Sequence, residues 1–153
     1  MTPAIDVARA AGIMYKLHSY AHDPSSQSFG LEAAEKLGVL PERVFKTLLV
    51  EPNRDMCMGL VPVSDQLNLK YMAKAFGKKK VAMADPKRVE KVTGYVVGGV
   101  SPLGQKRSLI AFLDESATLF ETIFVSAEKR GLDVEVRATD LLVLLDAKLT
   151  NLI

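Results

Sequence analysis

Three features of the sequence predict a mixed sheet in an α+β or irregular α/β fold. Helix and strand signals alternate along the chain with short connections. The helical stretches are unequal in length, which fits a regular doubly wound sheet poorly. Three strand signals crowd together late in the chain, at 109–113, 122–126 and 133–136. With 153 residues, 48% of them apolar, the chain is expected to form one domain, 1–153, around a core that needs no staple.

Each element has a local reason. Thr2 followed by Pro3 is an N-cap with proline at the first helical position, and Gly12 closes that helix. Residues 14–20 read as a strand, and 31–37 as a second helix stopped by Gly38. Residues 45–51 form a strongly apolar strand and 59–63 another. Leu69, Met72, Ala73 and Phe76 fall at i, i+3, i+4 and i+7, so an amphipathic helix lies between Asn68 and Gly77. Asp85 and Pro86 start a further helix that ends at Gly94, and a short strand follows at 95–97. Thr139 or Asp140 is expected to cap a final helix running to about residue 149.

Composition excludes several function classes. Twenty Lys plus Arg against eighteen Asp plus Glu give +2, too mild to announce a polyanion partner. One Cys rules out an intramolecular disulfide framework, and with only two His it leaves no basis for a Cys/His zinc site. The start, MTPAIDVARA, lacks the basic and apolar regions of a signal peptide. The longest purely apolar stretch, 141–145, is far too short to span a membrane. A soluble, cytoplasmic protein is expected.

Lys46 is the most informative residue. In a strand, Val44, Lys46, Leu48 and Val50 share one face while Phe45, Thr47 and Leu49 share the other. A lysine among so many apolar neighbours is costly to bury unpaired. Its amine either snorkels to water from a strand edge or points into a pocket toward an anionic or carbonyl oxygen. A glycine-rich loop, YVVGGVSPLGQK, is the second candidate. Its backbone amides suit a phosphate or a developing oxyanion, although the spacing matches neither a P-loop nor a dinucleotide fingerprint. An ordinary connection is the alternative.

The third feature is KYMAKAFGKKK at 70–80, with Lys70, Lys74, Lys78, Lys79 and Lys80 and no acid. It reads as a solvated face or as a contact to a nucleic-acid backbone. Other residues offer less. Cys57, flanked by Met56 and Met58, reads as a small buried residue rather than a nucleophile. His18 and His22 are four apart, but Asp23-Pro24 breaks any shared helical face. Ser101 lacks an obvious base, and Asp133 has Lys129 and Arg130 as possible partners.

Five blocks occur in order: HDPSSQSFG, VFKTLLV, KKVAMADP, TGYVVGGVSPLGQK and FVSAEKRGLDVEV. Together they resemble the YbaK/EbsC family, free-standing relatives of the editing domain inserted in bacterial prolyl-tRNA synthetase. The resemblance covers essentially the whole chain. It implies a mixed β-sheet rolled into a partly barrel-like core with helices around it. The implied activity is removal of cysteine wrongly attached to proline tRNA, by hydrolysis or by cyclisation through the substrate's own sulfur, without a cofactor. A deacylase for another amino acid, such as alanine, and a non-catalytic module binding tRNA or synthetase are the alternatives.

The family's essential lysine falls on Lys46, and its glycine–proline loop falls on Gly98 to Pro102. In that scheme the amides near Gly99, Val100 and Ser101 hold the carbonyl oxygen, while Gly98 and Pro102 shape the substrate loop. The family's pocket positions map onto Tyr20, Phe29, Thr47, Ser126 and Asp133. The turn reads SAEKRG here, where the family often has small residues before KRG. The 70–80 lysines, with Lys87 and Arg88, become implied contacts for the tRNA acceptor end, and prolyl-tRNA synthetase becomes the implied protein partner.

Overall fold

Thr2 caps the first helix, α1 (Pro3–Ala10), by accepting a hydrogen bond from the Ile5 amide at its hydroxyl, 3.3 Å away. The computed structural model describes residues 2–26, 28–52, 55–95, 100–127 and 129–153. Within them the chain continues through β1 (Tyr15–Ser19), α2 (Phe29–Leu37), β2 (Phe45–Glu51), β3 (Cys57–Pro62), α3 (Leu69–Phe76), β4 (Ala82–Met83) and α4 (Pro86–Thr93). Then follow β5 (Ile110–Asp114), β6 (Thr122–Ser126), β7 (Leu132–Arg137), α5 (Ala138–Leu145) and β8 (Lys148–Thr150).

Helix ends follow the local chemistry. Gly38, Gly77 and Gly94 close α2, α3 and α4 in the left-handed conformation, which a residue without Cβ adopts freely. The Asn68 side chain accepts from the Lys70 and Tyr71 amides at the start of α3, and Asp85 accepts from Lys87 at the start of α4.

The strands form two sheets. One has the order β1-β7-β6 and is antiparallel throughout. The other has the order β4-β2-β3-β5-β8 and is mixed, with β3, β5 and β8 running parallel. An isolated parallel bridge between Val44 and Phe124 joins the two sheets. The arrangement is the mixed fold expected, although the sheets do not close into a barrel. No helix among the described residues is long and apolar enough to cross a membrane.

Both faces of the five-stranded sheet are covered. On one face Phe45, Leu49, Met58, Leu60 and Leu113 join the main core with α4, α5 and the three-stranded sheet. On the other, Val50, Cys57, Val61 and Phe112 pack with Met72 of α3 and Leu152. Leu60, Leu113 and Ile123 are completely buried, each contributing roughly 1.5–3 kcal/mol by leaving water.

The final helix is shorter than expected, and its cap differs. Arg137, rather than Thr139 or Asp140, occupies the N-cap position, and Asp146 ends the helix in the left-handed conformation at φ 49°. The remaining segment leaves as β8, because Phe112–Asp114 offers it a parallel edge and Leu152 finds a fully buried seat. The expected strand at 95–97 includes Val96 and Val97, which lie outside the described residues. Tyr95 itself is buried and donates its hydroxyl proton to the Leu103 carbonyl at 2.6 Å.

Candidate active site

The site originates in an incomplete pairing. Among the described residues strand β4 pairs only with Val50 and Glu51, and no strand covers the middle of β2 on that side. Backbone groups alternate along a strand. The Val44 carbonyl accepts from Val63 on the β3 side, whereas the Leu49 carbonyl accepts from Ala84 on the β4 side. Thr47 has the parity of Leu49, so its N–H and C=O point to the open side.

That open edge lines a cavity of about 920 Å³. Phe45 to Leu49 form one wall, Phe29 and Gly30 of α2 another, and Pro86 and Val89 of α4 a third. Tyr20, Val100, Ser126 and Asp133 complete the enclosure, with Lys129 and Arg130. This size accommodates a small-molecule-sized group, mostly apolar with a few placed polar atoms.

Lys46 is partly buried, and among the described residues its ammonium makes neither a hydrogen bond nor an ion pair. Burial lowers its pKa, and the Asp65 carboxylate partly offsets the effect. The lysine lies on the open edge of β2 and lines the cavity there. Beside it, the Thr47 hydroxyl is buried with no hydrogen-bond partner. An unmet buried polar atom carries an uncompensated cost unless a ligand supplies its partner.

Asp133 lies opposite, on β7, with 5% of its surface exposed. Burial pushes its carboxyl up to about 7. Among the described residues no ion pair joins Asp133 to Lys129. The Tyr20 phenol is raised as well, mainly by burial and then by the nearby Asp133 charge. Gly131, at φ +92°, makes this closeness possible, since a Cβ there would sit 2.8 Å from the Tyr20 carbonyl.

A clasp at the rim is absent from any linear motif. The Arg130 guanidinium lies 4.1 Å from the centre of the Phe29 ring, and His22 packs on the same ring at 5.7 Å. His22 Nδ1 is 2.6 Å from Glu32 Oε1, and the Asp23 amide donates to Glu32 Oε2 at 2.8 Å. These bonds, that of His22 foremost, hold the Glu32 carboxyl below its usual range. Gly30 permits close docking, because a Cβ there would meet Val63 Cγ1 at 2.2 Å.

The structure thus gathers Tyr20, Phe29, Lys46, Thr47, Val100, Ser126 and Asp133 around one cavity. Gly98 and Gly99 lie outside the described residues. Ser101 and Pro102 are buried but do not line the cavity; Ser101 Oγ accepts from the Leu103 amide at 3.2 Å. Lys70, Lys74, Lys78, Lys79 and Lys80 are exposed and none of them lines this cavity. His18 bonds Glu135 at 2.9 Å, apart from His22. Cys57 is fully buried, and its thiol is pushed up to about 12 by burial. Sequence reasoning missed Arg130 as the ring partner and Glu32 as the loop anchor; a carboxylate at a buried helical position was the one available signal.

The chain is similar to known proteins over most of its length. Residues 25–144 match the family model described as the aminoacyl-tRNA editing domain. A protein of Enterococcus faecalis named as a candidate Cys-tRNA(Pro)/Cys-tRNA(Cys) deacylase, EbsC, is 37% identical over 136 residues, covering 88% of this chain and 82% of that one. The proline–tRNA ligase of Moorella thermoacetica is 38% identical over 68 residues, 44% of this chain and 12% of that ligase. A crystal structure titled as a candidate trans-editing enzyme for prolyl tRNA synthetase superposes with a TM-score of 0.81 at 23% identity, covering 99% of this chain and 98% of that one. The chain belongs to the aminoacyl-tRNA editing domain family, in its YbaK/EbsC group.

Proposed function

We propose that this protein removes cysteine from mischarged proline tRNA, and that the substrate's own thiol is the nucleophile. The observation that carries the reading is the cavity at the open edge of β2. There Lys46, the buried Asp133 and Thr47, whose hydroxyl is buried without a hydrogen-bond partner among the described residues, line one largely apolar space.

The cavity supplies orientation and charge but little nucleophilic power. Among the described residues no histidine lines it, so Thr47 has no imidazole base there. Cys57 is sequestered as a thiol. A cysteinyl ester brings what is missing. Its sulfur attacks the ester carbonyl as the S–C bond forms, and the C–O bond to the terminal ribose then breaks. The thiol proton goes to a base and a proton reaches the departing ribose oxygen, so RNA and a β-thiolactone leave.

Sulfur and carbonyl belong to one residue, so the attack is intramolecular, and the cavity's part is to hold the reactive conformer. The positive charge of Lys46 favours the thiolate and the developing oxyanion. Outward-facing amides such as that of Thr47 offer donors for the same oxygen. The biological logic is discrimination: cysteine and proline are close in size, and a synthetase pocket separates such neighbours by only a few kcal/mol.

Single-turnover deacylation of cysteinyl-tRNA(Pro), beside alanyl-tRNA(Pro) and with or without prolyl-tRNA synthetase, tests the reading. Preference for the cysteinyl substrate supports it. Faster release of alanine identifies another editing specificity, and no release in either condition identifies a binding module.

A further inference from the structure

The flank of α4 turned away from the Lys46 cavity carries a second cleft, of about 620 Å³, which the editing reaction does not use. Pro86 and Val89 face the first cavity, whereas Arg88 and Val92 line the second. Its floor is apolar, formed by Met56, Phe76, Ile110 and Phe112. Its cations are Lys78, Arg88, Arg107 and Lys148, against one acid, Asp55. Arg88 is engaged with Glu51, which itself lines the first cavity. Among the described residues Lys78, Arg107 and Lys148 form no ion pair.

From this composition we infer that the second cleft binds a phosphodiester segment of the RNA whose aminoacylated end occupies the first cavity. This rests on the reading of the chain as an editor of aminoacyl-tRNA. Uncompensated cations with spare donors suit phosphate oxygens. The floor argues for a nucleotide chain over a free inorganic anion. Ile110 is 59% exposed beside Arg107 and Lys148, and such an apolar surface gains by covering a ribose or base face. Lys78, the first of three consecutive lysines after α3, brings the basic run of 78–80 to the cleft edge. The charge that a whole-chain count of +2 conceals is thus concentrated beside a concavity, sharing one helix with the editing cavity.

The test is equilibrium binding of a labelled, unacylated tRNA(Pro) transcript across a salt series. Arg107→Gln combined with Lys148→Gln is compared with Lys16→Gln combined with Arg137→Gln, which removes equal charge from the three-stranded sheet. All four side chains belong to exposed residues; thermal unfolding checks that both variants fold. The cleft variant is expected to weaken binding several-fold and to flatten the slope of log K against log salt by about 2, roughly one per lost phosphate contact. Equal weakening by the control pair shows a whole-protein charge effect and overturns the inference. Unchanged RNA affinity overturns it too, and lost stimulation by the synthetase would then place an acidic protein surface in the cleft. Failure of the editing reading is distinguishable, because it appears as absent deacylation by the wild-type protein whatever the salt slopes show.

Discussion

The guanidinium of Arg130 stacks on the ring of Phe29 at 4.1 Å, clasping the turn before β7 to the first residue of α2 across the cavity rim. A cation over an aromatic face contributes about 0.5–2 kcal/mol depending on exposure. Phe29→Leu and Arg130→Gln are each expected to raise KM for aminoacyl-tRNA more than they lower kcat. In a double-mutant cycle the pair should show coupling of about 0.5–1 kcal/mol. Strict additivity in unfolding free energy would show that the two side chains do not interact.

Lys46 and Thr47 are neighbours whose polar groups lack partners, so their removal separates function from stability. Lys46→Ala is expected to lower single-turnover deacylation by at least about 100-fold, the usual scale for removing one charge-stabilising donor. Its unfolding free energy should stay within about 1 kcal/mol of wild type, since no hydrogen bond or ion pair among the described residues is broken and the attraction to Asp65 is offset by relief of the amine's burial. Thr47→Val keeps the shape and deletes an unsatisfied hydroxyl, so stability should hold or rise while deacylation slows. Full activity of Lys46→Ala would remove the lysine from the site.

Asp133 makes a stability prediction with an unusual sign. Its carboxyl is raised to about 7 in the fold against an ordinary value of 3.8. Between those values the unfolded chain has released the proton while the native protein retains it. The unfolded state therefore binds fewer protons, and stability falls as pH rises from about 4 to 7. The ceiling is about 4 kcal/mol, from three units at 1.36 kcal/mol each. Asp23, Glu32 and Glu135, whose pKa values are lowered, act in the opposite direction as pH rises through the acid range. Comparing wild type with Asp133→Asn isolates the one group. The variant should gain relative stability between pH 5 and pH 8, and superimposable profiles would refute the raised carboxyl.

What was legible in the sequence was local. Gly38, Gly77 and Gly94 mark helix ends because left-handed closure is decided within one turn of chain. Strand β8 was illegible, because its existence depends on an edge offered by β5 some 35 residues earlier. Asp146 added to the error, since a non-glycine residue took the left-handed position. Lys46 stood out as a charge in an apolar strand, but which side it faced depended on how little of β2 is covered by β4. The Arg130–Phe29 contact spans about a hundred residues of sequence, and no periodicity reports such a pairing.

The last prediction concerns the nucleophile. If the substrate's sulfur attacks, a seryl ester in the same cavity should react far more slowly, because a hydroxyl near neutral pH is almost wholly protonated and less nucleophilic. If water attacks instead, with Asp133 as its base, cysteinyl and seryl esters differ only by binding, within about tenfold for so small a change. The protein's own thiol is controlled by Cys57→Ala, which should deacylate within about twofold of wild type, since burial holds that thiol neutral. Performing the reaction in ¹⁸O-labelled water adds an independent reading. Cyclisation breaks the ester without water, so an amine present during the reaction captures the thiolactone as an unlabelled cysteine amide, whereas direct attack by water yields ¹⁸O-labelled free cysteine and no amide. Labelled free cysteine with no amide, together with equal cysteinyl and seryl rates, would replace the thiol mechanism with an activated water.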